Sequence, residues 1–128
     1  MLKLFYDPDI DYLEVFFQKT PNYGDETETG IITFKNEKND KIVGYGFHKP
    51  AKVILNSFIL SPKIKIAVMC FLKRKKLGLS ERELASRLNL SYRTYQRIEE
   101  GEISKIDDFL KISEYISDVD FSKIFKAS

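Results

Sequence analysis

The chain has 128 residues and a formal net charge of +2, and 43% of the residues are hydrophobic and 31% charged. This length fits one domain or two small units with real cores, and the near-neutral balance argues against a protein that binds polyanions by charge alone. No apolar run approaches the ~20 residues needed to span a membrane, and no signal peptide is visible, so we expect a cytoplasmic protein without a membrane partner.

The first half of the chain shows the period-two alternation that is typical of strands. Four predicted strands cover residues 2–6, 12–18, 29–35 and 41–47. Turn residues interrupt the pattern at 7–9, 21–25 and 36–40, so we predict an antiparallel β-meander of about four strands. Gly44 and Gly46 share one face of the last strand, and a helix at residues 52–60 is expected to lie on that face.

Three aspartates at alternate positions, 7, 9 and 11, match the way in which an EF-hand calcium loop begins. The rest of that loop does not match, because its sixth position requires glycine and holds Tyr12, and its twelfth requires glutamate and holds Gln18. We therefore predict that these aspartates cap a turn and bind no metal.

His48 is the only histidine and Cys70 the only cysteine in the sequence. A His-based catalytic triad, a zinc cluster and a disulfide therefore cannot form within one chain. The sequence also shows no nucleophile–base pair and no phosphate-binding glycine loop. We predict no enzyme activity and no cofactor.

The first half resembles a small bacterial domain family of uncharacterised function, which has a Tyr-Asp-Pro start, an aromatic strand and a later Ile-Val-Gly strand. The matching residues are Tyr6, Asp7, Pro8, Asp11, Tyr12, Gly30, Ile31, Ile42, Val43 and Gly44. The family often ends its last strand with an acidic-hydrophobic pattern, from which residues 45–48 depart.

The second half changes to helical periodicity and carries the positive charge. Residues 61–101 contain 10 basic and 4 acidic residues, whereas residues 1–60 contain 7 basic and 9 acidic ones. A helix is predicted from Ser61 and Pro62 to a basic run at 73–76, where the helix dipole alone would favour cations. Beside a nucleic-acid-binding unit, the side chains of this run that we expect to contact phosphates are Lys73, Lys75 and Lys76.

Residues 79–101 are predicted to form two short helices joined by a tight turn. Ser80 and Glu83 have the spacing of a capping box at the start of the first helix. Asn89 tolerates the positive φ that ends this helix, and Ser91 can cap the second one.

This stretch resembles the helix-turn-helix of the phage-repressor (Xre/Cro-like) family, and the resemblance extends over about residues 64–116. The matching residues are Leu79, Leu84, Ala85, Leu88, Leu90, Ser91, Ile98, Glu99 and Gly101. In that family, an arginine near the end of the preceding helix pairs with a glutamate at the end of the second motif helix. The resemblance thus implies an ion pair between Arg74 and Glu99.

The resemblance also implies that the second motif helix reads DNA in the major groove. The base-facing residues would be Tyr92, Arg93, Gln96 and Arg97, and the phosphate donors Ser91 and Thr94. Arginine can bond O6 and N7 of guanine, and glutamine can do the same for adenine. Two residues depart from the family, because Glu81 replaces a glutamine that donates to the DNA backbone and Glu100 replaces a phosphate donor.

Residues 106–116 and 118–125 are predicted to add one helix and a short final helix, with an apolar surface broad enough to bury a dimer contact. The predicted fold is therefore α+β. A β-rich module at 1–60 would oligomerise or bind a partner, and an all-α helix-turn-helix bundle of four to five helices would occupy 61–128.

The predicted function is a sequence-specific transcriptional regulator that binds double-stranded DNA as a homodimer. Two-part chains of this type resemble antitoxins, which neutralise a cognate toxin protein and repress their own operon. The alternative left open is a protein-interaction module whose helix-turn-helix no longer binds DNA.

Overall fold

The computed structural model describes residues 2–125, with residues 27, 28 and 125 described by their backbone alone. The predicted spans 1–60 and 61–128 therefore include four terminal residues that lie outside the described ones. The chain divides into two compact units, Met1–Asn56 and Ser57–Ser128. A sheet in the first unit and helices in the second confirm the predicted α+β class. Within the described range, every helix is too short or too polar to cross a membrane.

The N-terminal unit is a five-stranded antiparallel sheet rather than the predicted meander of about four strands. Its strands are β1 (Lys3–Asp7), β2 (Tyr12–Phe16), β3 (Asn22–Glu28), β4 (Ile31–Asn36) and β5 (Ile42–His48). The order across the sheet is β1-β2-β5-β4-β3. Only the last three strands form a meander, and the β1–β2 hairpin adds to it through β5.

The extra strand, β3, begins inside the stretch at residues 21–25 that we predicted to be a turn. It lies at the edge of the sheet and pairs only with β4. Asp25 and Glu26 on this strand are exposed. Charged residues on an edge strand oppose pairing with another chain. An edge strand such as β3 is held by backbone hydrogen bonds to one neighbour, and these bonds do not require alternating apolar residues. The apolar pattern therefore did not reveal this strand.

One face of the sheet forms the core of the N-terminal unit. Leu13 on β2 lies opposite Phe47 on β5, and Phe47 lies opposite Ile31 on β4. All three side chains are buried, as is Val15 on the same face. Alternate residues of neighbouring strands thus pack together, as the alternation in the sequence predicts.

On the opposite face, aromatic rings cover the glycines of β5. A Cβ atom at Gly44 would lie 2.6 Å from a ring carbon of Phe16, and one at Gly46 would overlap the Tyr12 hydroxyl. These two rings therefore occupy the space that we expected a helix to fill. A Cβ atom at Gly44 would also lie 2.6 Å from the Val15 backbone carbonyl oxygen, so glycine is required there, whereas a larger residue at Gly46 would have to displace the end of the Tyr12 side chain.

The helix predicted at residues 52–60 is wrong beyond its first residues, since helix α1 spans only Pro50–Val53. The Asn56 side chain donates to the Lys52 carbonyl at 2.9 Å. The Ser57 hydroxyl accepts from the Ile59 backbone N–H at 3.1 Å. Such local bonds compete with the helical ladder, which explains why the segment bends here.

The turn between β1 and β2 is built by the aspartates that suggested a calcium loop. The Asp9 backbone N–H donates to the Asp7 carboxylate at 3.0 Å, and the Tyr6 hydroxyl donates to Asp11 at 2.7 Å. The hydrogen bond to Asp11 raises the pKa of Tyr6 to about 12. Among the side chains that the structure describes, no three His, Cys, Asp or Glu residues are grouped in a way that would hold a metal ion.

The C-terminal unit is helical. It contains α2 (Pro62–Leu77), α3 (Glu81–Arg87), α4 (Tyr92–Glu99), α5 (Ile106–Tyr115) and a 3₁₀ helix (Phe121–Phe125). The core includes Ala67 and Val68 of α2, Leu84 of α3 and Ile112 of α5, all fully buried. Cys70 is also fully buried in α2, and burial raises the pKa of its thiol.

Candidate nucleic-acid interface

Local hydrogen bonds determine where the two motif helices begin and end. The Ser80 hydroxyl accepts from the Glu83 N–H at 3.1 Å, and the Glu83 carboxylate accepts from the Ser80 N–H at 3.0 Å. This is a complete capping box at the start of α3. After α3, Asn89 has a φ of 55° in the left-handed region, which asparagine tolerates better than most residues.

Helix α4 begins with a serine cap. The Thr94 backbone N–H donates to the Ser91 hydroxyl oxygen at 3.1 Å, and the Ser91 hydroxyl donates to the Thr94 hydroxyl at 2.8 Å. Ser91 thus uses its proton within the cap, whereas the Thr94 hydroxyl proton is still able to reach a phosphate. Of these two predicted phosphate donors, Thr94 is the better placed.

The two sides of α4 differ in exposure. Tyr95 and Ile98 point into the core, with 0% and 1% of their surface exposed. Arg93 and Arg97 are exposed, one helical turn apart on the same side. Gln96 and Tyr92, which we also expect to face bases, are half-buried. The helix therefore presents two guanidinium groups outside the fold.

A buried ion pair holds the C-terminal end of α4 against the C-terminal part of α2. Arg74 donates through Nε to Glu99 Oε2 at 2.7 Å and through Nη2 to Oε1 at 3.0 Å, so the pair implied by the resemblance is present. Tyr95 also donates its hydroxyl to Glu99. Arg74 Nη1 donates to the Leu79 carbonyl at 3.2 Å. The ion pair thus joins α2, the loop before α3, and α4.

Both titratable partners of Glu99 have a raised pKa. The hydrogen bond to Glu99 raises the pKa of Arg74, which keeps the guanidinium charged. Burial, followed by the charges around it, raises the pKa of Tyr95, which keeps the phenol protonated and able to donate. The arrangement is therefore bidentate and charge-assisted, with a charged guanidinium and a protonated phenol both donating to the Glu99 side chain.

Acidic residues gather near the same end of α4. Burial raises the pKa of Glu81 at the start of α3, and the charges of Glu99 and Glu100 raise it further. Glu81 and Glu100 are the two positions at which the chain departs from the family pattern. A carboxylate cannot donate to a phosphate and repels it, so this part of the motif opposes DNA.

The lysines predicted to contact phosphates are not equivalent. Lys73 lies 3.6 Å from the Asp118 carboxylate, which compensates its charge. Lys75 and Lys76 are exposed at the end of α2, and the Lys75 ammonium also lies 5.5 Å from the centre of the Phe71 ring. Lys75 and Lys76 are therefore better placed than Lys73 to meet a phosphate.

Two features of this unit were missed by sequence reasoning. The Arg82 guanidinium lies over the Tyr92 ring, 4.2 Å from its centre. Lys65 in α2 is fully buried, and its ammonium has no hydrogen-bond partner among the described residues. No sequence motif indicates the Arg82–Tyr92 contact, because the two residues lie on different helices. No motif indicates the burial of Lys65 either, because a lysine in a helix is normally expected at the surface.

Residues 72–124 match the family model for Helix-turn-helix. No curated protein and no solved structure matches the chain significantly. The family match covers less than half of the chain and does not include the N-terminal unit. It supports the predicted helix-turn-helix family for the C-terminal part of the chain, and with it a DNA-binding regulator in general.

Proposed function

We propose that the chain is a sequence-specific transcriptional regulator that binds double-stranded DNA in the cytoplasm as a homodimer. The observation that supports this most strongly is the exposure of Arg93 and Arg97 on one side of α4. The Arg74–Glu99 pair fixes the opposite side of that helix to α2. A helix held in this way can enter a major groove with its charged side chains already directed outward.

The reading chemistry would come from few side chains. Arg93 and Arg97 can each form two hydrogen bonds with guanine, and Gln96 can do so with adenine, each worth ~1–3 kcal/mol of discrimination. Thr94, Lys75 and Lys76 would add phosphate contacts. One helix of this length reads few base pairs, which is why we propose a dimer that binds two half-sites about 34 Å apart.

The test is selection of duplexes from a random pool, followed by binding measurements on the recovered sequence. We expect Arg93→Ala to reduce the preference for the recovered sequence over its single-base variants by ~1–3 kcal/mol. Arg87→Ala is the matched control, because it also removes an exposed arginine but one that lies on α3 and not on the reading helix. The Arg87 guanidinium donates to the Tyr115 hydroxyl at 3.3 Å. An equal loss of affinity for every sequence would make Arg93 a phosphate contact instead.

The finer proposal is that the chain is an antitoxin, whose N-terminal unit binds a cognate toxin and whose C-terminal unit represses the shared operon. The two-unit build of the chain is compatible with this division of roles. A small basic protein encoded next to this chain should then copurify with it. Failure of any neighbouring product to bind would exclude the antitoxin proposal without affecting DNA binding.

The second candidate function is a protein-interaction module that no longer binds DNA. Glu81 and Glu100 at one end of the motif favour this candidate, since a carboxylate at either position opposes a phosphate backbone. The two candidates differ in salt dependence. A DNA-binding protein loses affinity with a slope of about −0.9 in log affinity against log salt for each phosphate it neutralises. Absence of any recovered duplex would favour the interaction module.

A further inference from the structure

The contact between Arg82 and Tyr92 joins the two helices of the motif. Arg82 is the second residue of α3 and Tyr92 is the first residue of α4. The guanidinium carbon lies 4.2 Å from the centre of the Tyr92 ring, well within the range of a cation–π contact. Arg82 itself is exposed.

The guanidinium carbon lies over the Tyr92 ring, and an arginine that stacks on a ring uses one face of its guanidinium and keeps its edges free. The N–H groups of arginine lie in the plane of the guanidinium, so a side chain that rests on a ring can still donate all five. No hydrogen bond or ion pair involves Arg82 within the described part of the chain, in contrast with Arg74 and Arg87. The contact with the Tyr92 ring therefore restricts the position of the Arg82 guanidinium, while its N–H groups remain available to a ligand.

We propose that Arg82, held on the Tyr92 ring, is a phosphate-contacting residue of the DNA interface. This inference rests on the proposed function. Arg82 lies on α3 and not on the reading helix, so it would meet the backbone beside the groove and not a base edge. It supplies a donor next to Glu81, whose carboxylate cannot donate.

The stack also assigns a role to Tyr92 that differs from direct base reading. Its ring would restrict the arginine before DNA binds, so that less side-chain freedom is lost on binding. Tyr92 is then a positioning residue for Arg82, and the two side chains should be energetically coupled in DNA binding.

The experiment measures affinity and salt slope for a duplex that the wild-type protein recovers from a random pool. We expect Arg82→Gln to weaken binding about tenfold and to reduce the salt slope by ~0.9, which corresponds to one phosphate. In a Tyr92→Phe background, which retains the ring, Arg82→Gln should still cost about tenfold. In a Tyr92→Leu background its effect should fall below about threefold, because the stack is already lost. Tyr92→Met serves the same purpose if Tyr92→Leu unfolds.

The matched control is Arg87→Gln, which removes one exposed positive charge from the same helix and should leave the salt slope unchanged. An unchanged slope for Arg82→Gln, with binding by the wild type intact, overturns the inference and leaves the proposed function standing. If the Arg82→Gln effect is the same with leucine or phenylalanine at position 92, the stack does not position the arginine and the inference also fails. If the wild type recovers no duplex, the proposed function fails, and the inference fails with it.

Discussion

Helix α2 contains two buried cations, of which one has hydrogen-bond partners and the other has none among the described residues. Arg74, near its C-terminal end, is 9% exposed and donates to Glu99 and to the Leu79 carbonyl. Lys65, in its first turn, is 0% exposed, and its ammonium has no hydrogen-bond partner among the described residues. The helix dipole favours a cation near the C-terminal end, where Arg74 lies, and disfavours one in the first turn, where Lys65 lies.

The difference shows that a buried charge on this helix has either a structural role or a cost. Arg74 joins three segments of the motif, and its position matters for the direction in which α4 presents Arg93 and Arg97. Lys65 makes no comparable contact, and burial lowers the pKa of its ammonium. A buried charge without a partner loses its hydration and gains nothing in return. We therefore expect that substituting Arg74 lowers the free energy of unfolding and that substituting Lys65 raises it.

The largest effect is expected for Arg74→Ala. It leaves the Glu99 carboxylate buried without its charged partner, so the free energy of unfolding should fall by ~3–5 kcal/mol. Chemical denaturation, with the change read from the midpoint at constant slope, measures this loss.

The control for this change is Lys73→Ala, on the neighbouring residue. Lys73 and Asp118 form a longer pair of 3.6 Å in which the Asp118 side chain is 61% exposed. Removing such a pair should cost at most about 1 kcal/mol. Similar losses for both variants would show that the Arg74–Glu99 pair has no special structural role.

The second effect, of opposite sign, is expected for Lys65→Met. Methionine retains the apolar stem and removes the buried ammonium, so the free energy of unfolding should rise by ~1–3 kcal/mol at neutral pH. Lys63→Met, on an exposed lysine of the same turn, should change stability by less than about 0.5 kcal/mol.

The pH dependence of Lys65→Met follows from the lowered pKa. Below the lowered folded pKa, Lys65 is protonated in both the unfolded and the folded chain, and the folded state bears the cost of a buried charge. As the pH rises from the folded pKa towards the ordinary value of 10.5, wild-type stability increases and the advantage of methionine shrinks. A gain that is constant up to alkaline pH would contradict a buried charge as its cause.

Local chemistry was the part of this molecule that the sequence predicted well. The serine caps of α2, α3 and α4 depend on residues within four positions of each other, and all three are present. The ion pair between residues 74 and 99 is remote in sequence, and only the family resemblance implied it. The edge strand β3 and the rings over the glycines were missed, because they depend on which strands become neighbours.

Charge counting was the least reliable guide to the interface. The ten basic residues between positions 61 and 101 placed the positive charge of the chain in its second half. Two of them, Lys65 and Arg74, are buried, and Lys73 is close to Asp118. The positive charge available to a ligand is therefore smaller than the count implies, and near α4 it lies on Arg82, Arg93 and Arg97, with Lys75 and Lys76 at the end of α2. A formal charge cannot distinguish a donor that faces solvent from one that is already bonded.

The smallest effect compares two glutamates in the first turn of α3. Burial raises the pKa of Glu81, whereas the bond from the Ser80 N–H lowers that of Glu83. Ionised Glu81 therefore reduces wild-type stability as the pH rises from the ordinary value of 4.5 to its raised folded pKa. The stability contributed by ionised Glu83 is complete above 4.5 and is lost as the pH falls through its lowered folded pKa. At neutral pH, Glu81→Gln should stabilise the fold by less than about 1 kcal/mol, and Glu83→Gln should destabilise it. The Glu81 difference should disappear below pH 4.5, and the Glu83 difference only below the lowered folded pKa of Glu83, where its wild-type carboxyl is protonated. Denaturation across this pH range measures them. A loss of stability in both variants would show that neither burial nor the charges of Glu99 and Glu100 disfavour ionised Glu81.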